Sequence, residues 1–115
     1  MISKSRLSNL RKEKGKYAYS TGNRVFVWKN IIWPLILEVN RPWFTLKEYR
    51  TKRDEISYTK HIPKEKIGKG LISLIFKGLV LKVKDNYLID DNLLPYFKGR
   101  AILEYDIAVR KINSK

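Results

Sequence analysis

The chain has 115 residues, 43% of them hydrophobic and 31% charged, which suits one globular core and excludes both two ordinary domains and an uncollapsed polar chain. Its formal net charge is +14 and its isoelectric point is near 10.1, a balance that draws a polyanionic partner and disfavours a basic one. The absence of Cys and the single His, His61, exclude disulfides, thiolate metal sites and His clusters, so no cofactor or metal is expected.

The cations are unevenly distributed. Residues 1–30 carry eight Lys or Arg against Glu13 alone, residues 41–84 carry twelve against four acids, and residues 85–115 carry five against five. Clustered cations are what a phosphate backbone requires, because each phosphate neutralised releases counterions. No apolar run reaches the ~20 residues of a membrane span; the longest, Ile31 to Leu37, is interrupted by Pro34. The basic N-terminus has no apolar stretch behind it to make a secretory signal. The expectation is a soluble cytoplasmic protein with no membrane partner.

In chain order, residues 1–16 have little to bury and read as a basic flexible arm, leaving 17–115 as one domain. The β-branched and aromatic segments Tyr17–Ser20 and Arg24–Trp28 around Thr21-Gly22-Asn23 predict an N-terminal hairpin. Ile31, Ile32, Leu35, Ile36 and Val39 then fall at helical spacing, with Pro34 tolerable in a first turn. Asn40-Arg41-Pro42 ends that helix, and Trp43-Phe44 can lie extended. Thr45-Leu46-Lys47-Glu48 matches a capping box, starting a short second helix to about Arg53. A connection from Asp54 to Ile62 follows, longer than the ~3–4-residue turn of a compact helix-turn-helix.

Pro63 suits the first turn of a third helix, with Ile67, Leu71, Leu74 and Ile75 on one face up to Lys77. Gly68 and Gly70 each cost ~1 kcal/mol relative to Ala in a helix interior, which points to a late start. Gly78 closes that helix. Leu79–Lys84 and Tyr87–Ile89 predict two strands around a turn at Asp85-Asn86. Ala101, Ile102, Tyr105, Ala108, Val109 and Ile112 form a helical stripe, while Leu103, Tyr105, Ile107 and Val109 alternate like a strand; the Asp106–Arg110 spacing and the two Ala favour a C-terminal helix.

This order, and above all the junction Leu71-Ile72-Ser73-Leu74-Ile75-Phe76-Lys77-Gly78-Leu79-Val80 followed by a hairpin through Ile89, resembles the winged helix-turn-helix family of DNA-binding domains. The resemblance covers roughly residues 30–90 and implies an α+β fold of three helices plus a β-hairpin wing, here with an N-terminal hairpin and a C-terminal helix. It implies a third helix in the major groove of double-stranded DNA and a wing on the backbone. Lys66, Lys69, Gly70, Ser73 and Lys77 lie opposite the apolar stripe and are the expected groove-facing residues. Arg50, Lys52 and Arg53 of the second helix, Thr59 and Lys60 of the connection, and Lys82, Lys84, Asn86 and Tyr87 of the wing are expected as phosphate contacts. The third helix carries no Arg, Asn or Gln for bidentate base reading, so specificity is expected to be modest or partly indirect.

The function expected is non-enzymatic duplex-DNA binding, sequence-dependent or architectural, in transcriptional regulation, with a homodimer formed through residues 100–112. An RNA- or ribosome-associated basic protein is the alternative. A Mg-dependent nuclease ranks below both: Asp90-Asp91 stands where a helix N-cap is expected, Glu104 and Asp106 diverge on a helix, and His61 has no partner nucleophile beside Asp54, Glu55 and Tyr58. The aromatics Trp28, Trp33, Trp43, Tyr17 and Tyr19 read as packing groups rather than base-stacking ones.

Overall fold

The computed structural model describes residues 21–114. The expected arm at 1–16 and the first expected strand at Tyr17–Ser20 lie outside the described residues. The second expected strand is corrected: Arg24–Trp28 is helical. Helix α1 (Thr21–Val27) runs through a π-helical turn (Trp28–Ile32) into α2 (Trp33–Val39), so the first helix begins ten residues before Ile31. Local β preference yields to packing, because Asn23, Val27, Trp28, Ile31, Ile32, Leu35 and Ile36 fall on one buried side.

The π turn solves the problem of Pro34. A proline inside a regular helix has no N–H to give and its ring meets the carbonyl four residues back. Here the N–H of Trp33 reaches the carbonyl of Trp28, and Pro34 falls in the first turn of the helix that restarts. The Asn30 side chain donates to the Phe26 carbonyl at 3.0 Å within the same stretch. Asn40 ends α2 in the left-handed conformation.

Strand β1 (Trp43–Thr45) leads into α3 (Leu46–Lys60). The capping box forms as expected: Glu48 N–H donates to Thr45 Oγ1 at 3.1 Å, and Thr45 N–H donates to Glu48 Oε1 at 2.9 Å. Helix α3 continues well past Arg53 to Lys60, and the connection that follows is only His61-Ile62-Pro63. The final turns of α3 are polar and expose Tyr58, Thr59 and Lys60, so they carry no apolar period to betray a helix.

The third helix is divided. Residues Lys64–Ile67 form α4, Gly68 turns the chain at φ 62 and ψ −141, and α5 spans Gly70–Lys77. Gly78 caps α5 at φ 88, the left-handed region that only glycine enters freely. Strands β2 (Val80–Val83) and β3 (Asn86–Ile89) make the hairpin, and β1 joins its far side to give a three-stranded antiparallel sheet in the order β1-β3-β2. Val83 pairs with Asn86, which puts the turn at Lys84-Asp85, one residue earlier than expected.

Beyond the sheet, the Asp90 carboxylate caps a 3-10 turn (Asp91–Leu93) by accepting from Asn92 N–H at 2.8 Å. Helices α6 (Leu94–Lys98) and α7 (Tyr105–Asn113) follow, separated by an extended strap, Ala101–Glu104. The C-terminal helix therefore starts at Tyr105 rather than Ala101. The strap crosses the first helix, where Trp28 Nε1 donates to the Leu103 carbonyl at 2.9 Å and Trp33 Nε1 to the Ala101 carbonyl at 2.8 Å. The two indoles lie 5.5 Å apart, buried as packing groups. One hydrophobic cluster runs from Val27 to Ala108. The architecture is α+β, and no helix among the described residues is long and apolar enough to cross a membrane.

Candidate nucleic-acid interface

Helix α5 is apolar nearly all the way round, Leu71-Ile72-Ser73-Leu74-Ile75-Phe76, and two of its sides are covered. Leu71 and Leu74 enter the core. Gly70 and Ser73, expected to face outward, instead meet α1. Gly70 is buried, and a Cβ added there would collide with the Val27 side chain. Ser73 is 3% exposed, and its Oγ accepts a hydrogen bond from Arg24 Nη1 at 3.0 Å while Arg24 Nε donates to the Tyr105 hydroxyl at 2.9 Å. Asn23 fastens the same contact from the other end by donating to the Ile67 carbonyl at 3.2 Å. The N-terminal helix, read from sequence as a hairpin strand, thus occupies the face that was expected to meet DNA.

The outward face of α5 is a different one. It carries Ile72 and Phe76, exposed by 42% and 79%, with Lys69 at the N-cap and Lys77 in the last turn. Ile72, Lys69 and Ile75 border a cleft of about 360 Å³ between α3, α5 and the hairpin. Arg50 and Arg53 enter it from α3 and Lys82 from β2, so four cations from three elements converge on one concavity that no carboxylate lines among the described residues. Tyr49 and Tyr87 also line this cleft. Burial pushes the Tyr49 hydroxyl up to about 12, so at neutral pH it is a phenol able to donate a hydrogen bond.

The remaining expected contacts divide by environment. Tyr87 is 6% exposed and stacks on Phe44 with ring centroids 5.5 Å apart; it is a core residue of the sheet, which corrects its assignment as a wing contact. Lys82 lies 5.9 Å from that ring. Lys52 is held at 2.8 Å by both Glu38 and Glu55, and its side chain is 10% exposed. Burial opposes its charge, but the hydrogen bonds it donates to the two carboxylates carry its pKa above the ordinary lysine value. That lysine is an internal tie between α3 and α2, which corrects its assignment as a phosphate contact.

Arg53 shares its charge with Asp54, whose carboxylate its guanidinium holds below the ordinary value at 3.0 Å. Lys66 on α4 and Thr59 and Lys60 at the end of α3 are exposed but do not line the cleft. Lys84 is exposed at the tip of the hairpin with φ 55, and Asn86 is half-buried in β3. Arg50, Arg53, Lys69 and Lys82 are therefore the expected cations that the fold gathers at one place, with the buried Tyr87 in the same wall. Ile72 and Phe76 were not anticipated as surface groups, because the spacing assigns the outward side of an amphipathic helix to its small and polar residues, here Gly70 and Ser73.

Among the described residues there is no group of three or more His, Cys, Asp or Glu placed to hold a metal ion. In the C-terminal segment, Leu103, Tyr105 and Ala108 are buried in the chain's own core, which leaves Ile102 and Ile107 as its exposed large apolar groups. No family model, no curated protein and no solved structure matches this chain.

Proposed function

We propose that the protein binds double-stranded DNA as a winged helix, without catalysing a reaction, and acts in transcriptional regulation. The single observation that carries this reading is the cleft in which Arg50, Arg53, Lys69 and Lys82 converge without a lining carboxylate. A polyanion following that cleft would neutralise several phosphates at once, and the net charge of +14 would draw it there. The element order supports the winged-helix form: a first helix, a capped second helix, a third helix closed by Gly78, and a two-stranded hairpin.

In this arrangement α5 faces the major groove through Lys69, Ile72, Phe76 and Lys77. The hairpin follows the backbone with Lys82 and Lys84, and α3 supports the phosphates with Arg50 and Arg53. A second copy, if the chain dimerises, would use Ile102 and Ile107.

The test is salt-titrated binding to duplex DNA, single-stranded DNA and duplex RNA of matched length, with Lys69→Ala and Lys82→Ala alongside. Duplex DNA should bind most tightly, with a logarithmic salt slope of about −0.9 per phosphate neutralised, and each substitution should shrink the slope by about 1. Tighter binding to RNA or single strands, or two substitutions without effect, would overturn the reading.

A further inference from the structure

We propose that Ile72 and Phe76 read thymine through its C5-methyl group, so that the preferred ligand is an A·T-rich duplex entered from the major groove. This inference rests on the duplex-binding reading above and adds to it the chemistry of selection. Ile72 and Phe76 stand at i and i+4 on the outward side of α5, following Lys69 at its N-cap. Phe76 is the most exposed large hydrophobic residue described, at 79%, and Ile72 borders the cleft that Arg50, Arg53, Lys69 and Lys82 surround. The exposed apolar pair thus lies along α5 between Lys69 and Lys77 and beside the cationic cleft, which Ile72 borders and Phe76 does not.

That distribution selects the occupant. An apolar protein partner seated on this pair would also press on Lys69 and Lys77 and on the neighbouring cleft cations without offering opposite charges, a costly arrangement. A DNA duplex offers the complementary order, phosphates at the edges of the groove and base edges at its floor. In the major groove the thymine methyl is the apolar group of the four natural bases, and G·C pairs offer only donors and acceptors. Helix α5 has no Arg, Asn or Gln to meet those donors and acceptors. Its exposed centre is instead suited to methyl contact. The same selection separates DNA from RNA, since uracil lacks the methyl.

The experiment compares binding of the full chain to an A·T-rich duplex and to the same duplex with every thymine replaced by uracil, which removes methyl groups and leaves every phosphate in place. Burying one methyl is worth ~0.8 kcal/mol, roughly fourfold in affinity, so two methyls give about fifteenfold. The intact protein should lose affinity of that order on the uracil duplex. The paired variant Ile72→Ser with Phe76→Ser, whose changes lie on the exposed side of α5, should bind both duplexes alike with the salt slope of the intact chain. Equal binding of the two duplexes by the intact protein would overturn the inference while leaving duplex binding standing. A preference that survives in the paired variant would overturn it too, by assigning the effect to duplex shape. Failure to bind either duplex would remove both this inference and the reading beneath it.

Discussion

Two small residues on α5 are held by geometry rather than by solvent. Gly70 lies against Val27 with no room for a Cβ, and Ser73 supplies an acceptor for the half-buried Arg24. Gly70→Ala should destabilise the protein by about 1–3 kcal/mol through overpacking. Ser73→Ala should cost about 1.5–3 kcal/mol, the range for a hydrogen bond to a charged group. Lys77→Ala, at an exposed position of the same helix, should stay within about 0.5 kcal/mol of the parent. Denaturant midpoints measure all three; parent-like midpoints for Gly70→Ala and Ser73→Ala would show that both positions face water. In the sequence these residues look like the small, polar side of an amphipathic helix. Small residues serve equally well where two helices approach closely, and only the position of α1 decides between the two.

At the scale of elements, the boundaries set by local chemistry are the ones the sequence announced. Thr45 and Glu48 cap α3 reciprocally, Gly78 ends α5, and β2 and β3 form the expected hairpin. The α3 cap has a pH signature. Arg41 donates to both Glu48 oxygens and holds that carboxylate below its ordinary value of 4.5. A carboxylate whose folded pKa is depressed contributes stability that is whole above its unfolded pKa and is lost as pH falls through the folded one. Thermal midpoints should therefore decline below about pH 4.5 more steeply in the parent than in Arg41→Met, where this contribution is weakened. Thr45→Ala should cost about 1 kcal/mol at neutral pH. Elements without such punctuation were not legible. The late turns of α3 have no apolar stripe, and α1 is built from β-branched and aromatic residues that prefer strands when considered locally.

For the whole molecule, the C-terminal segment is part of the core rather than an appendage. Trp28 and Trp33 donate to the strap, Arg100 bonds the Asn40 side chain at 2.9 Å and the Leu37 carbonyl at 3.0 Å, and Leu103, Tyr105 and Ala108 are buried. Ending the chain after Arg100 should lower the midpoint of the entire cooperative transition and shift tryptophan emission to the red, since burying Leu103 alone is worth ~1.5–3 kcal/mol. An unchanged midpoint would show that residues 101–115 are dispensable to the fold.

Legible without the fold were the charge, a sum over the composition, and the chemistry that acts over a few residues: the cap, the glycine stop and the hairpin, each fixed by near neighbours. It also named the cations that gather at the cleft, because Arg50, Arg53, Lys69 and Lys82 stand in a stretch where cations outnumber acids three to one, twelve to four over residues 41–84. Which side of α5 faces water is set by packing. Periodicity placed Leu71 and Leu74 inside, where they are, but with Ile72, Ile75 and Phe76 also apolar it could not say that the surface would be the side that the first helix and the sheet leave uncovered. The packing of α1 against Gly70 and Ser73 withdraws that expected face, while Ile72 and Phe76 remain outside.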